Sequence, residues 1–264
     1  MALDINALKS KLNSFKRTGG GDRDTAIWKP KEGKTVIRIV PWKDNPSNPF
    51  IELYFHYLGN KTYLSPLSYG NRDPIAEFAD SVRNDSQREP DAKARYAEAR
   101  PFMPKLRTYI PIIVRGEEDK GVRFYSFGKT VYQELLSYIS DPDYGDITDA
   151  KTGRDIVVEY IPKEKSDTNF AKTSVKVKPS QTPLSSDASQ ANLWMTTQPD
   201  IKELYTEPTY NELKVTLEKY LDPDNSVITP AREAEAPASV TTTAAAPKEN
   251  VKNAVDAFDE LFND

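Results

Sequence analysis

Two strand-forming segments near the middle of the chain place the tightest limit on its fold. The segments LRTYIPIIVR (106–115) and GVRFYSF (121–127) are rich in β-branched and aromatic residues, and the turn sequence GEED lies between them. Strand formers on either side of a short polar connection predict an antiparallel β-hairpin. Because an isolated hairpin is at best marginally stable, the chain must supply further strands or a helix to cover it.

Further strand and helix patterns run along most of the chain. Strand patterns occur at 35–41, 50–58, 155–161 and 173–178, and NKTYLSP can pair with the second of these. Helix patterns are PIAEFADSVRN after the cap residue Asp73, PDAKARYAEA, KTVYQELLSYIS, and PTYNELKVTLEKYL with a cap near Thr206. In the third helix one face carries Val131, Leu135, Leu136 and Ile139. Short strands with helices inserted between them predict an α+β protein built on a small β-barrel.

Charge is unevenly distributed along the chain. Residues 1–138 carry 23 basic and 17 acidic side chains, 139–221 carry 10 and 14, and 222–264 carry 3 and 9. A basic first half followed by an acidic end is typical of a nucleic-acid-binding protein whose tail competes for its own binding cleft. The same distribution also fits ordinary solvated surfaces, so charge alone leaves both interpretations open.

The first 20 residues have the pattern of a separate basic arm. Apolar residues at spacings of three and four predict one apolar helical face, made by Ile5, Leu8, Leu12 and Phe15. The cations of this arm are Lys9, Lys11, Lys16 and Arg17. Three glycines at 19–21 then separate the arm from the rest. We expect a basic amphipathic helix that docks on a partner, with a frayed terminal helix as the alternative.

The end of the chain combines a linker with an acidic, apolar tip. Residues 232–250 consist mostly of Ala, Thr, Pro and Glu, which cannot bury enough apolar surface to offset the entropy of ordering. The last ten residues are VDAFDELFND. We expect a flexible tether with an acidic, apolar tip that reaches another molecule.

The sequence offers little for catalysis, metal binding or membrane insertion. It has no cysteine, and its single histidine, His56, lies within an apolar strand pattern where a structural role is the commoner one. There is no G-x-S-x-G nucleophile motif and no phosphate-binding loop. No apolar run reaches the about 20 residues that a membrane helix needs, and no signal peptide pattern is present. We therefore predict a protein that is not an enzyme and is not exported.

Aromatic and basic residues are interleaved on the strands of the central hairpin. Arg107 and Tyr109 lie two residues apart and share a strand face, and RFYSFGK (123–129) contains three rings and two cations. One face of these strands must build the core, and the other can present rings beside positive charge. Rings stack on bases at about 1–3 kcal/mol per base while cations follow the phosphates. This pattern favours single-stranded nucleic acid as the ligand.

Several segments together resemble a known family, the gene-32-type single-stranded DNA-binding proteins of T-even-like phages. WKPKEGKTVIRIVP is similar to the first core strand of the family, and LRTYIPIIV with RFYSFGKTVYQELLSYI resembles its central hairpin and following helix. DIVVEYI and TSVKVK match a later strand pair, and PDIKELYTEPTYNELKVTLEKYL resembles the helical end of the core. The terminal VDAFDELFND is similar to the family's acidic tail tip.

The resemblance implies an architecture and a function. It implies an OB-fold β-barrel core at 21–221 with an appended helical subdomain, a basic arm at 1–20 for contacts between protomers, and a disordered acidic tail at 222–264. Such a protein coats single-stranded DNA cooperatively and without strong sequence preference during phage DNA replication, recombination and repair. Its partners would be single-stranded DNA, neighbouring protomers and replication and recombination proteins, in the cytoplasm of the infected bacterial host. The resemblance also implies the roles of the tail tip: Phe258, Leu261 and Phe262 would anchor in pockets of partner proteins, and Asp256, Asp259, Glu260 and Asp264 would mimic phosphates.

Residue types and resemblance together predict a set of DNA contacts. The expected contacts are Arg38, Tyr63, Arg72, Tyr96, Lys105, Arg107, Tyr109, Arg123, Tyr125, Phe127 and Lys129. Trp28 is expected in the core. The short Lys/Arg-Ser/Thr motif of the family's arm, with its second copy in the core, is represented only by Lys16, Arg17 and Thr18 and by Lys105, Arg107 and Thr108.

The chain departs from the family at a structural zinc site made of one His and three Cys. His56 matches the histidine, and the cysteine positions fall near Pro66, Ile75 and Phe78. A single imidazole is not a tetrahedral site, so we predict no metal and no other cofactor. We expect packing of Ile75, Phe78 and Val82 to hold this region together.

Two other functions remain open at the level of the sequence. An RNA-binding or translational-control module could use the same barrel, because stacking does not distinguish the two nucleic acids strongly. A phage structural protein that binds no nucleic acid, with the tail as an assembly peptide, is the other alternative.

Overall fold

The computed structural model describes residues 25–86 and 89–222. Its described strands are β1 (Ile27–Trp28), β2 (Gly33–Ile39), β3 (Ile51–Leu58), β4 (Lys61–Leu64), β5 (Lys105–Val114), β6 (Arg123–Phe127), β7 (Arg154–Ile161) and β8 (Lys172–Gln181). Its described α-helices are α1 (Pro74–Asn84), α2 (Ala92–Ala99), α3 (Lys129–Ser140), α4 (Ala188–Thr196), α5 (Ile201–Leu204) and α6 (Tyr210–Leu221). Short 3-10 turns occupy Pro66–Tyr69, Glu118–Lys120 and Lys163–Lys165.

The chain divides into two compact units that are not continuous in sequence. The first takes Met1–Leu53 and Leu106–Thr206, and the second takes Tyr54–Lys105 and Glu207–Asp264, of which the structure describes the residues given above. The chain therefore leaves the first unit after Leu53, returns to the first unit at Leu106, and re-enters the second unit at Glu207.

The first unit contains a sheet in the order β1-β6-β5-β2-β7-β8. The pair β1–β6 is parallel and the other pairs are antiparallel. The expected central hairpin is present, with Ile110 opposite Tyr125 and Thr108 opposite Phe127. β5 lies in the middle of the order and is buried from Thr108 to Val114, as its long apolar run indicates.

One face of this sheet and the helix α3 enclose the main core of the first unit. Val131 and Leu135 point from α3 into a cluster that contains Ile37, Ile110 and other buried strand residues. Trp28 is 6% exposed within it, so its predicted core position is confirmed. Leu136, expected on the same helical face, is instead 39% exposed.

A smaller apolar cluster forms around α4. Trp194 is buried with Val40, Ile113, Val122 and Leu184. The sequence pattern does not predict this helix, because Trp194 is the only residue of ASQANLWMT that becomes buried. Without a repeated apolar position the segment has no helical period to detect.

The second unit is built from the β3–β4 hairpin and three helices. Register pairs Leu58 with Lys61 and His56 with Tyr63. The core of the unit joins α1, α2 and α6, and its buried members are Leu58, Ile75, Phe78, Ala79, Val82, Ala99, Phe102, Leu213, Leu217 and Leu221. The expected packing of Ile75, Phe78 and Val82 is therefore confirmed.

His56 lies in a fully buried polar network of the second unit. Its Nδ1 atom donates to Phe102 O at 2.9 Å, and its Nε2 atom lies 2.8 Å from Asp73 Oδ2. Ser65 Oγ also donates to Asp73, whose other oxygen caps α1 at the backbone N–H groups of Ile75 and Ala76. Among the described residues no group of three or more His, Cys, Asp or Glu side chains is placed to hold a metal ion.

The expected α+β class is confirmed by this arrangement, while the OB type of the sheet stays a prediction. Each strand pattern found in the sequence corresponds to a strand of the structure, with ends that differ by at most a few residues. The last helix begins after the cap residue Thr209 rather than near Thr206. Within the described part of the chain, no helix is long and apolar enough to span a membrane.

Candidate nucleic-acid interface

Arg38, an expected phosphate contact, is fully buried in the first unit. Its guanidinium donates to the carbonyl oxygens of Ile147 at 2.7 Å, Arg154 at 2.8 Å and Thr182 at 3.1 Å, and to that of Asp149. Burial lowers its pKa to about 10, which still leaves it protonated at neutral pH. The prediction is corrected accordingly: Arg38 ties together the segment before β7 and the end of β8.

Gly153 leaves the space that this guanidinium occupies. A Cβ atom at Gly153 would overlap both terminal nitrogen atoms of Arg38 and the carbonyl oxygen of Asp149. Real Cβ atoms do not approach neighbours so closely, and the Asp149 oxygen belongs to the backbone and cannot swing away. The hydrogen bonds of the Arg38 guanidinium therefore require a residue without a side chain at position 153.

Three aromatic residues that were expected to stack on bases are also buried. Tyr109, Tyr125 and Phe127 are at most 3% exposed. The Tyr109 and Tyr205 hydroxyl groups are hydrogen-bonded at 2.7 Å, and Trp28 packs edge-on against Tyr125 with centroids 5.0 Å apart. Burial raises the pKa of both Tyr109 and Tyr125 above the usual value. Both faces of this hairpin belong to the interior, so these rings are removed from the expected interface.

The cations of the central hairpin and α3 differ in exposure and in ion pairing, and therefore in whether they can contact a phosphate. The Arg123 side chain is 12% exposed, and its Nη2 atom donates to Glu117 Oε2 at 2.7 Å, so a carboxylate already neutralises it. Lys129 is exposed at the first turn of α3. Arg107 is half-buried, with Nη1 3.8 Å from the position of a Cβ on Gly128. Arg107 and Lys129 thus both lie beside Gly128, at a helix N-terminus, which also favours anions.

The loop between β7 and β8 carries a ring that the sequence analysis did not single out. Phe170 is 77% exposed, which is unusual for so large an apolar side chain. Exposed lysines accompany it at positions 163, 165 and 172, and Lys165 forms an ion pair with Glu32. The signal was present as a lone Phe in a polar loop (SDTNFAK), but it has no strand or helix period.

β8 continues the positive charge away from this loop. Val175 and Val177 face the core, and the alternate positions Lys172, Lys176 and Lys178 lie on the other face. Lys178 is 3.8 Å from Asp155. The exposed Phe170 is therefore next to a strand that presents a row of ammonium groups.

Helix α2 of the second unit presents a second combination of ring and charge. Tyr96 is 51% exposed, and Lys93 and Arg100 are exposed three positions before and four positions after it. Residues at these spacings lie on one face of a helix. The expected contact Tyr96 is thus at the surface between two cations.

The remaining expected DNA contacts in the second unit are exposed or half-buried. Lys105 is exposed, with Nζ 5.3 Å from the centre of the Tyr57 ring. The Arg72 side chain is 78% exposed, pairs with Glu77 at 2.8 Å and lies 5.1 Å from the Tyr210 ring centre. Tyr63 is half-buried against the core of the unit. The cation–π arrangement orients Lys105 without removing its charge.

The residues expected to act in the arm and tail lie outside the described residues. These are Lys9, Lys11, Lys16, Arg17, Asp256, Phe258, Asp259, Glu260, Leu261, Phe262 and Asp264. Their roles stay predictions.

Comparison with known proteins identifies one matching family. A family model described as "gp32 DNA binding protein like" matches residues 31–222. The match begins just before β2 and ends just after α6, so it covers both compact units. No curated protein matches the chain.

Proposed function

Since the chain belongs to the gp32-like family of DNA-binding proteins, we propose that it coats single-stranded DNA without strong sequence preference and performs no catalysis. The family match over residues 31–222 is the observation that carries this proposal. The sequence motifs of the core also resemble those of the gene-32-type proteins.

The exposed rings and cations supply the contacts that this function needs. In the first unit we assign DNA contacts to Arg107, Lys129 and Phe170. In the second unit we assign them to Tyr63, Arg72, Tyr96 and Lys105, with Lys93 and Arg100 as neighbours of Tyr96. Rings would stack on bases of any identity, and cations would neutralise phosphates, which explains binding without sequence preference.

The arm, the tail and the biological role belong to the same proposal. The basic segment 1–20 would dock on a neighbouring protomer and make binding cooperative, and the sheet of the first unit would be of the OB type. The acidic residues of 222–264 would compete with DNA and recruit replication and recombination proteins during phage DNA replication, recombination and repair. The protein would act in the cytoplasm of the infected bacterium.

A salt-dependent titration of the full chain tests the central claim. A single-stranded DNA oligonucleotide should quench the Tyr and Trp fluorescence, and log K should fall by about 0.7 per phosphate contact for each tenfold rise in salt. A matched RNA oligonucleotide distinguishes the translational-control alternative, which predicts tighter binding to RNA. Absence of salt-dependent binding to either strand would contradict the proposal and favour a structural protein.

A further inference from the structure

A cavity of about 430 Å³ lies on the second unit, between its hairpin and its last helix. Its lining residues are Leu58, Asn60, Lys61, Tyr63, Thr216, Lys219 and Tyr220. They come from the end of β3, the turn that follows, β4 and the last turns of α6. The volume falls within the range of about 300–1,000 Å³ that small-molecule sites occupy.

The apolar walls of the cavity are held in place by the core beneath them. Leu58 is 4% exposed and belongs to the core cluster, against which Tyr63 also packs. The Tyr220 ring is 40% exposed, and it contacts Phe102 edge-on with centroids 5.9 Å apart. Its Cε2 atom lies 3.9 Å from the position of a Cβ on Gly59. The Tyr220 ring is therefore supported on one side and open to solvent on the other.

The charge of the cavity is positive. Lys61 and Lys219 are both exposed, and neither forms an ion pair with another described residue. Among the described residues that line the cavity there is no Asp or Glu. Asn60 and Thr216 add an amide and a hydroxyl, which can hydrogen-bond to polar atoms of a ligand. A cavity with supported rings and two ammonium groups without carboxylate partners suits a ligand that is flat, polar at its edges and anionic.

We propose that this cavity binds one nucleotide of a DNA single strand, with the base against Tyr220 and the adjacent phosphate between Lys61 and Lys219. Stacking takes place on the open side of the ring, and the ammonium groups neutralise the phosphate charge. This inference rests on the proposed single-stranded DNA binding. It extends the proposed DNA interface from Tyr63 to Lys61 on the same hairpin and to Lys219 and Tyr220 on α6.

The test compares the full chain with two sets of variants in the same salt titration. The double variant Lys61→Ala/Lys219→Ala should reduce the slope of log K against log salt by about 0.7, the value for one lost phosphate contact. Tyr220→Leu should weaken binding about fivefold or more, whereas Tyr220→Phe, which keeps the ring, should bind like the original chain. The double variant Lys31→Ala/Lys151→Ala removes two exposed lysines of the first unit and serves as the charge-matched control.

The outcomes separate this inference from the proposed function. If the original chain does not bind single-stranded DNA, the proposed function itself fails. If it binds, and the double variant keeps both slope and affinity while Tyr220→Leu binds normally, the cavity is not a nucleotide site and the inference is overturned. Thermal unfolding of each variant identifies any loss of binding caused by loss of fold. Saturable binding of free deoxythymidine monophosphate at Tyr220, with oligonucleotide affinity unaffected by the variants, would also overturn it, because the ligand would then be a free nucleotide.

Discussion

At Arg38 a single guanidinium satisfies the carbonyl oxygens of four residues that lie more than 100 positions after it in sequence. A buried acceptor left without a donor costs about 1–3 kcal/mol. Lysine carries three donors on a point-like ammonium and cannot reproduce the planar fork that reaches four oxygens. The four hydrogen bonds of Arg38 therefore stabilise the first unit, and only the planar guanidinium of arginine can make all of them.

Replacement of this residue should affect stability rather than DNA binding. We expect Arg38→Lys to lower the free energy of unfolding by about 1–3 kcal/mol or more, because the three donors of lysine leave at least one of the four carbonyl oxygens without a donor. Urea unfolding measures the change, with Arg83→Lys on an exposed surface as the control. Gly153→Ala should be similarly destabilising, since its methyl group displaces the same guanidinium. A stable Arg38→Lys protein with weakened DNA affinity would restore the original assignment as a phosphate contact.

At Asp73 the pKa is held below its usual value although the carboxylate is buried. Burial by itself raises the pKa, but the hydrogen bonds from His56, Ser65 and the backbone of Ala76 outweigh it. A carboxylate whose pKa is lower in the folded than in the unfolded state stabilises the fold fully above the unfolded pKa of about 3.9. This contribution is lost as the pH falls through the lower, folded pKa.

We therefore expect Asp73→Asn to flatten the acid side of the stability profile. Asparagine still caps α1, but the change removes the carboxylate that accepts from both His56 and Ser65. Breaking such a buried pair costs about 3–5 kcal/mol at neutral pH. Urea unfolding between pH 2 and 7 compares the variant with the original chain. Asp91→Asn alters an exposed cap of α2 in the same unit and should leave the profile nearly unchanged. Equal acid sensitivity of the original chain and Asp73→Asn would contradict this account.

At the scale of elements, the β7–β8 loop and β8 combine the most exposed large apolar side chain of the described residues with a lysine row. A ring that is 77% exposed contributes nothing to the core, so its removal should leave the fold intact. A substitution in this loop can therefore change DNA affinity without changing the stability of the fold.

We expect Phe170→Ala to weaken single-stranded DNA binding by about 1–3 kcal/mol, the contribution of one stacked base, with an unchanged melting temperature. Fluorescence titration with one oligonucleotide at fixed salt measures the loss. Leu193→Ala is the matched control, because Leu193 is also exposed in the first unit but lies beside Glu118 and Asp119. Equal affinities of Phe170→Ala and the original chain would remove this loop from the interface.

Elements with a repeated apolar position were predictable from the sequence, and those without one were not. α1 has such a repeat after its cap residue Asp73. α6 has one too, although its cap residue is Thr209 and not the expected residue near Thr206. By contrast, α4 buries one residue and has no apolar repeat. The DNA contacts were harder to predict, because Tyr125 and Phe170 are similar ring types and each has a cation within two residues of it. Only the pairing of β5 with β6 and the packing of α3 bury the first, and the loop position exposes the second.

At the scale of the whole molecule, charge is separated along the chain. Residues 222–264 carry 3 basic and 9 acidic side chains, so a chain ending at Leu221 changes from a net charge of -4 to +2. It keeps Leu213, Leu217 and Leu221, which the core of the second unit requires.

We expect this shorter chain to bind single-stranded DNA more tightly at low salt, because the competing acidic residues are gone. The difference from the full chain should shrink as salt rises and screens the charges. Parallel titrations of the two chains at several salt concentrations measure it. A difference that stays constant with salt, or no difference at all, would leave the tail with protein recruitment as its remaining proposed role.

The split of the second unit between Tyr54–Lys105 and Glu207 onwards also sets the order in which the protein can fold as it is synthesised. The hairpin, α1 and α2 leave the ribosome first, but Leu213, Leu217 and Leu221 of their shared core follow more than 100 residues later. At about 5–20 residues per second, the nascent chain spends roughly 6–23 seconds with Phe78 and its neighbours lacking the last helix. Over that interval the emerging chain is exposed to chaperones and proteases, and its completion depends on one helix made near the end.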